Sequence, residues 1–152
     1  FGRLAVPVIY DENTYKMEIG KGIKMADGKD VTIIATGITV AMALEARTLL
    51  AAEGIDAAVV NIHTIKPLDR ELVVSEAGRT GAIVTAEEHN IIGGLGEAVS
   101  AVTSESNPVP VLRVGIEDAF GRSGKVPALL EKYGLTSSAI AEKARAAIAL
   151  KR

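Results

Sequence analysis

The chain has 152 residues, of which 48% are hydrophobic and only 3% aromatic, with a formal net charge of −2 and an isoelectric point near 5.7. This is the balance of a globular domain with a sizeable core, and it offers neither nucleic acid nor an anionic membrane an electrostatic footing. The absence of cysteine excludes disulfides, thiolate metal ligands and a cysteine nucleophile. No apolar run approaches the roughly 18 residues that span a bilayer, so a soluble, cytoplasmic protein is expected.

The first ten residues, FGRLAVPVIY, are apolar without helical or strand spacing. Residues 1–14 are read as an arm joined to something upstream, with a processed or disordered start as the plain alternative. Next, Tyr15, Met17, Ile19, Ile23 and Met25 alternate with Lys16, Glu18 and Lys24. That spacing predicts a half-exposed edge or antiparallel strand over 15–26, with Gly20 and Gly22 permitting a bulge or bend. From Val31 the order becomes regular. The continuous apolar runs at 31–36, 57–62 and 82–87 read as buried parallel strands. Helices follow them at 40–53, closed by Gly54; at 69–79, opened by Pro67 and Asp69; and at 95–105. In the third helix Leu95, Ala98, Val99 and Val102 share one face. A strand at 109–116, the loop DAFGRSG and helices at 125–133 and 137–150 complete one three-layer α/β domain with a mostly parallel sheet.

Parallel sheets carry their functional loops at the carboxyl ends of strands, and His63, Glu87, Glu88, His89, Gly93, Gly94 and Gly96 all fall there. Glycines before a helix invite a dinucleotide reading, because backbone N–H groups can approach a phosphate at the helix N-terminus. The spacing fails that fingerprint: no third glycine stands at 99, and two glutamates lie just upstream. A tight turn with close helix–sheet packing is favoured. GRSGKV at 121–126 misses a P-loop at both Ala119 and Val126, and that reading is rejected. In an extended strand Glu87 and His89 share a face with Glu88 opposite. A carboxylate beside an imidazole suits acid–base work, substrate orientation or an interface, and that is the expectation for Glu87 and His89. For Glu88 the plain alternative is favoured, in which one carboxylate satisfies N–H groups of the glycine turn while the others are solvated. With only two histidines, a metal site at His63 is conceivable, but a hydrogen-bonded structural histidine is favoured.

Four stretches, DVTIIATG, HTIKPLD, TAEEHNIIGGLGEAV and FGRSG with LLEKYGLT, follow one another in an order that resembles the C-terminal domain of transketolases. The likeness is strongest to the separately encoded C-terminal section of split transketolases and covers the chain from about Tyr15 to the last helix, so that 15–152 is one domain. The arm 1–14 resembles the segment joining that domain to the preceding pyrimidine-binding domain. Related domains occur in 1-deoxy-xylulose-5-phosphate synthases and in the β subunits of 2-oxoacid dehydrogenases.

The resemblance implies a five-stranded mixed sheet with one antiparallel edge strand, in agreement with the alternation over 15–26. It also implies an enzyme of pentose phosphate chemistry that moves a two-carbon ketol unit between sugar phosphates, using thiamine diphosphate and a divalent cation such as Mg²⁺. The motifs that hold those cofactors in the family are absent from this sequence, so no cofactor, metal or catalytic role passes to any residue here. A non-catalytic domain is expected, acting in subunit packing of a homodimer with the N-terminal and pyrimidine-binding domains as partners. His63, Glu87, His89, Gly93, Gly94 and Gly96 are the residues expected at an interface or substrate channel. A reading of different class is an autonomous binder of a small ligand at Glu87, His89 and the glycine turn.

Overall fold

The structure is a computed structural model that describes residues 6–151, so the arm is seen from Val6 onward and residues 1–5 and 152 lie outside the described residues. Ten elements follow in chain order: β1 Ile23–Ala26, β2 Val31–Ala35, α1 Thr39–Ala52, β3 Ala57–Asn61, α2 Arg70–Thr80, β4 Ile83–Asn90, α3 Leu95–Ser106, β5 Val111–Ile116, α4 Val126–Lys132 and α5 Ser137–Ala149. The strands form one sheet in the order β1-β3-β2-β4-β5. All neighbours pair in parallel except β1, which runs antiparallel to β3 at the edge.

The β2 strand shows why its sequence is apolar at all but one position, Thr32. Val31, Ile33 and Ala35 face one side with residues of α1 and α5, whereas Ile34 faces the other with residues of α2 and α3. Side chains alternate across a strand, so helices on both faces leave no position for a solvated residue. All five residues of β2 are buried. Each large aliphatic among them contributes about 1.5–3 kcal/mol through removal from water. The first layer contains α1 through Val40, Ala43, Ala46 and Leu50, and α5 through Ile140, Ala141, Ala144 and Ala147. Alanines dominate α5 because they let the helix axis approach the sheet closely.

The edge strand departs from expectation in length. Alternation predicted a strand over 15–26, but pairing begins only at Ile23, and the bulge falls between Lys24 and Ala26 rather than at the glycines. A turn from Glu18 to Lys21 and a left-handed Gly20 lead into Gly22, whose N–H donates to Asp69 Oδ2 at 2.9 Å. The backbone before Ile23 is therefore tied to the start of α2 and not to β3. Asp69 serves both sides: its Oδ1 accepts from Leu72 N at 3.1 Å as the N-cap of α2. Strand β4 extends past the predicted 82–87 to Asn90, which carries Glu88 and His89 out on strand geometry.

Candidate functional site

The chain order creates a switch point. After β2 the chain turns into α1 on one face of the sheet; after the adjacent β4 it turns into α3 on the other. Ligands of open α/β sheets bind in the crevice that opens between two such strands. Here the crevice is a depression of about 230 Å³ whose lining includes Gly37, Ile38, Ile65, Glu87, His89 and Gly94. Glu88 and Gly93 line it as well, whereas Gly96 sits one residue inside α3.

Glu87 is 1% exposed, and both of its carboxylate oxygens are occupied. Oε2 accepts from Leu95 N at 2.7 Å and Oε1 from Gly96 N at 2.8 Å. These are the first amides of α3, which lack a partner inside the helix and carry the positive end of its dipole. Gly94 at the cap position offers no side chain, so the carboxylate of β4 supplies the cap across the intervening loop. A Cβ at Gly94 would overlap that carboxylate, and Gly93 turns the chain at a φ of 78°. The carboxylate that satisfies the glycine turn is that of Glu87, and Glu88 is exposed. The pleat explains it, because Glu87 points to the α3 side and Glu88 away from it.

His89 does lie on the Glu87 face, with Nδ1 3.9 Å from Oε2, beyond hydrogen-bond reach. Its Nδ1 donates instead to the carbonyl of Asn90 at 2.7 Å, and the ring is exposed. The carboxylate is committed to helix amides and the imidazole to backbone, so the two form no proton-transfer pair in this arrangement.

His63 belongs to a second cavity, of about 450 Å³, on the other side of the Gly37–Ile38 turn, so the structure does not bring the two histidines together. Its Nδ1 meets Thr64 Oγ1 at 2.8 Å, which accounts for one nitrogen. Among the described residues Nε2 has no hydrogen-bond partner although it is buried. Asn61 lies in the same wall, 6% exposed; its Nδ2 donates to the Tyr10 hydroxyl while Oδ1 stays unpartnered. Neither Asn61 nor Tyr10 was singled out from sequence. The available signal was an amide closing an otherwise apolar strand, AAVVN.

A further polar group lies inside the sheet–helix layer. Glu76 is fully buried on α2, where it accepts from Thr32 Oγ1 at 3.0 Å and pairs with Arg79 and with Lys24 Nζ, the latter at 3.0 Å. Burial alone would raise its pKa, but the hydrogen bonds from Arg79 and Lys24 outweigh burial and hold the carboxyl below the usual glutamate range. The same contact, with help from Asp27, raises Lys24. This cluster ties β1 to α2 and faces no cavity described above, so its role is structural.

With the fold and its carboxyl edge described, the relatives can be set beside it. The family model for the transketolase C-terminal domain matches residues 20–140. The chain is 48% identical over 134 residues to the 6-deoxy-6-sulfo-D-fructose transketolase subunit of a Clostridium species, covering 88% of this chain and 42% of that protein. It is 47% identical over 141 residues to the 1-deoxy-D-xylulose-5-phosphate synthase of Heliobacterium modesticaldum, covering 92% of this chain and 22% of that one. A solved split gene transketolase, described as an inactive β4 tetramer, superposes with a TM-score of 0.96 at 52% identity, over 99% of this chain and 49% of its own. The chain thus spans less than half the length of each of these relatives. By the family match, the sequence identities and the shared fold, the chain belongs to the transketolase C-terminal domain family.

Proposed function

We propose that the chain acts as the C-terminal, non-catalytic domain of a thiamine-diphosphate-dependent enzyme that transfers ketol units between sugar phosphates. In this reading residues 1–14 are the arm to a preceding pyrimidine-binding domain, and the carboxyl edge with His63, Glu87, His89 and the glycine turn faces the other domains of a homodimeric, cytoplasmic enzyme. The observation that carries it is the superposition on a split gene transketolase across 99% of the chain but only 49% of that protein.

At the start of α3 the described residues do not fit thiamine diphosphate. Its diphosphate would need the free amides of a helix N-terminus, and at α3 those amides already hold the Glu87 carboxylate, which would repel it. Nor do the described residues contain a group of three or more histidine and acidic side chains placed to hold a metal ion. The cofactor and its cation belong in this reading to the partner domains. The identity with a 1-deoxy-D-xylulose-5-phosphate synthase favours, as a second reading, the equivalent domain of that enzyme.

Titration calorimetry of this chain with thiamine diphosphate and Mg²⁺ tests the reading. No heat of binding, with ketol transfer appearing once the cofactor-binding domains are added, is the expected result. Saturable binding to the chain alone would overturn it.

A further inference from the structure

The end of the chain carries apolar surface that the fold leaves open. No residue of α4 is buried, although Val126, Leu129 and Leu130 are aliphatic. With Ile116, Tyr133 and Leu135 they line a groove of about 400 Å³ between α4 and the loop after β5. Leu135 is part of the first-layer core and Leu130 packs against it, so the groove opens on the side of the sheet away from Glu87. Phe120 stands at the rim, 97% exposed, just before Gly121 and Arg122, which line the groove. The Tyr133 hydroxyl donates to the Phe120 carbonyl at 3.0 Å, which ties the backbone to the groove wall while the ring stays in water. We propose that this groove is the docking site of a second copy of the chain, filled by the Phe120 ring of that copy.

A second copy fits because one loop carries both halves of the contact. A two-fold dimer brings the same patch of each chain against itself, so a ring and a groove side by side are each used twice. Each ring then leaves water for an aliphatic pocket, and buried aromatic anchors of this kind dominate the energy of an interface. The charges agree with that pairing. Arg122, two residues from Phe120, travels with the ring, and the groove it enters has Glu88 in its wall; both side chains are exposed. The two-fold sets Arg122 of each copy toward Glu88 of the other, an attraction that fixes the register of docking. The apolar surface also continues past the groove. A neighbouring depression shares Val126 and Leu130 with it and reaches Pro7 and Val6, the latter 54% exposed. A contiguous patch of this kind marks an interface, as scattered apolar side chains do not. The inference agrees with the homodimer of the proposed function without resting on it, since cofactor calorimetry and the oligomeric state of this chain can fail separately.

The test is sedimentation velocity of the whole chain over a range of concentrations, joined to methyl NMR of the groove leucines. The parent is expected to dimerise, with contacts from the Phe120 ring to the Leu129 methyls growing with the dimer. Phe120→Ser should weaken association by at least about a hundredfold, because each dimer loses two buried rings. The ring is exposed in the single chain, so circular dichroism of this variant should match the parent. Arg122→Glu and Glu88→Arg should each weaken association alone, since each sets like charges face to face. Mixed together they should associate more tightly than either does alone, because one copy then offers glutamate at both positions and the other arginine. A chain that stays monomeric overturns the proposal, as does a dimer indifferent to Phe120→Ser. A mixture no tighter than its components contradicts the pairing of Arg122 with Glu88. Ring-to-Leu129 contacts that persist in the monomer assign the groove to the chain's own Phe120 and overturn the second copy as its occupant.

Discussion

Replacing Glu87 with glutamine isolates the charge and one acceptor at nearly constant shape. The wild-type carboxylate accepts two amides of α3, at 2.7 and 2.8 Å, in a site 1% exposed. The glutamine carbonyl can keep one of them; the other amide then meets an NH₂ group, leaving a buried donor facing a donor. That mismatch costs about 1–3 kcal/mol. Loss of the negative charge at the helix N-terminus adds up to about 2 kcal/mol in a buried setting. Relief of the carboxylate's own desolvation offsets part of this, so the net loss is expected at about 2–4 kcal/mol. A domain of this size loses about 2–4 °C of Tm per kcal/mol, so a mid-range loss of ~3 kcal/mol lowers Tm by about 6–12 °C. Urea denaturation followed by helical circular dichroism should show a lower midpoint with an unchanged m value. The exposed neighbour serves as control, since Glu88→Gln should stay within about 0.5 kcal/mol of the parent. If Glu87→Gln were as stable as Glu88→Gln, the carboxylate would not be the cap of α3.

The glycine turn should show two distinct sensitivities in the same assay. Gly94→Ala drives a Cβ into the Glu87 carboxylate and is expected to cost about 3 kcal/mol or more, whereas Gly93→Ala, with open space but a φ of 78°, should cost about 1–2 kcal/mol; equal losses would contradict the packing at Gly94. The pKa of Glu76 is lower folded than unfolded, so its contribution is complete above the ordinary glutamate range and is lost as pH falls through that range and below. Glu76→Gln should accordingly reduce stability at pH 7 by about 1–3 kcal/mol and flatten the decline as pH falls through and below the ordinary glutamate range, and an unchanged pH profile would refute it. Val6 and Val8 are neighbours on the arm and 54% and 92% exposed, which predicts concentration-dependent self-association of the chain through the arm in sedimentation velocity. A monomer at every accessible concentration would count against that.

Much of the architecture was legible in local pattern. Runs such as VTIIA and AAVVN are apolar at every or nearly every position because helices cover both faces of the sheet, and that pattern separates buried parallel strands from alternating edge strands. The edge strand was recognised in kind but not in extent. Alternation continues back to Tyr15, while the backbone there leaves the sheet to meet Asp69, a partner 47 residues away from Gly22. Helix ends were read to within one residue where Asp69 and Gly54 act through neighbouring amides, since capping is a short-range interaction. Glu76 could have been noticed, because Val73, Glu76, Ala77 and Thr80 form one helical stripe and a carboxylate in that stripe must be paired.

The sequence by itself determined the class of fold, the order of its elements, the antiparallel edge and the family, because periodicity, caps and motif order are properties of neighbouring residues. Only the tertiary structure decided what the buried polar groups do. Glu87 finds its amides 8 and 9 residues ahead, Asn61 finds Tyr10 across 51 residues, and Thr32 finds Glu76 across 44. A side-chain oxygen accepts from whatever donor chain closure brings within about 3 Å, and spacing along the sequence does not encode that distance. Two adjacent glutamates of identical chemistry thus part company: one becomes the buried cap of a helix, and the other stays in solvent.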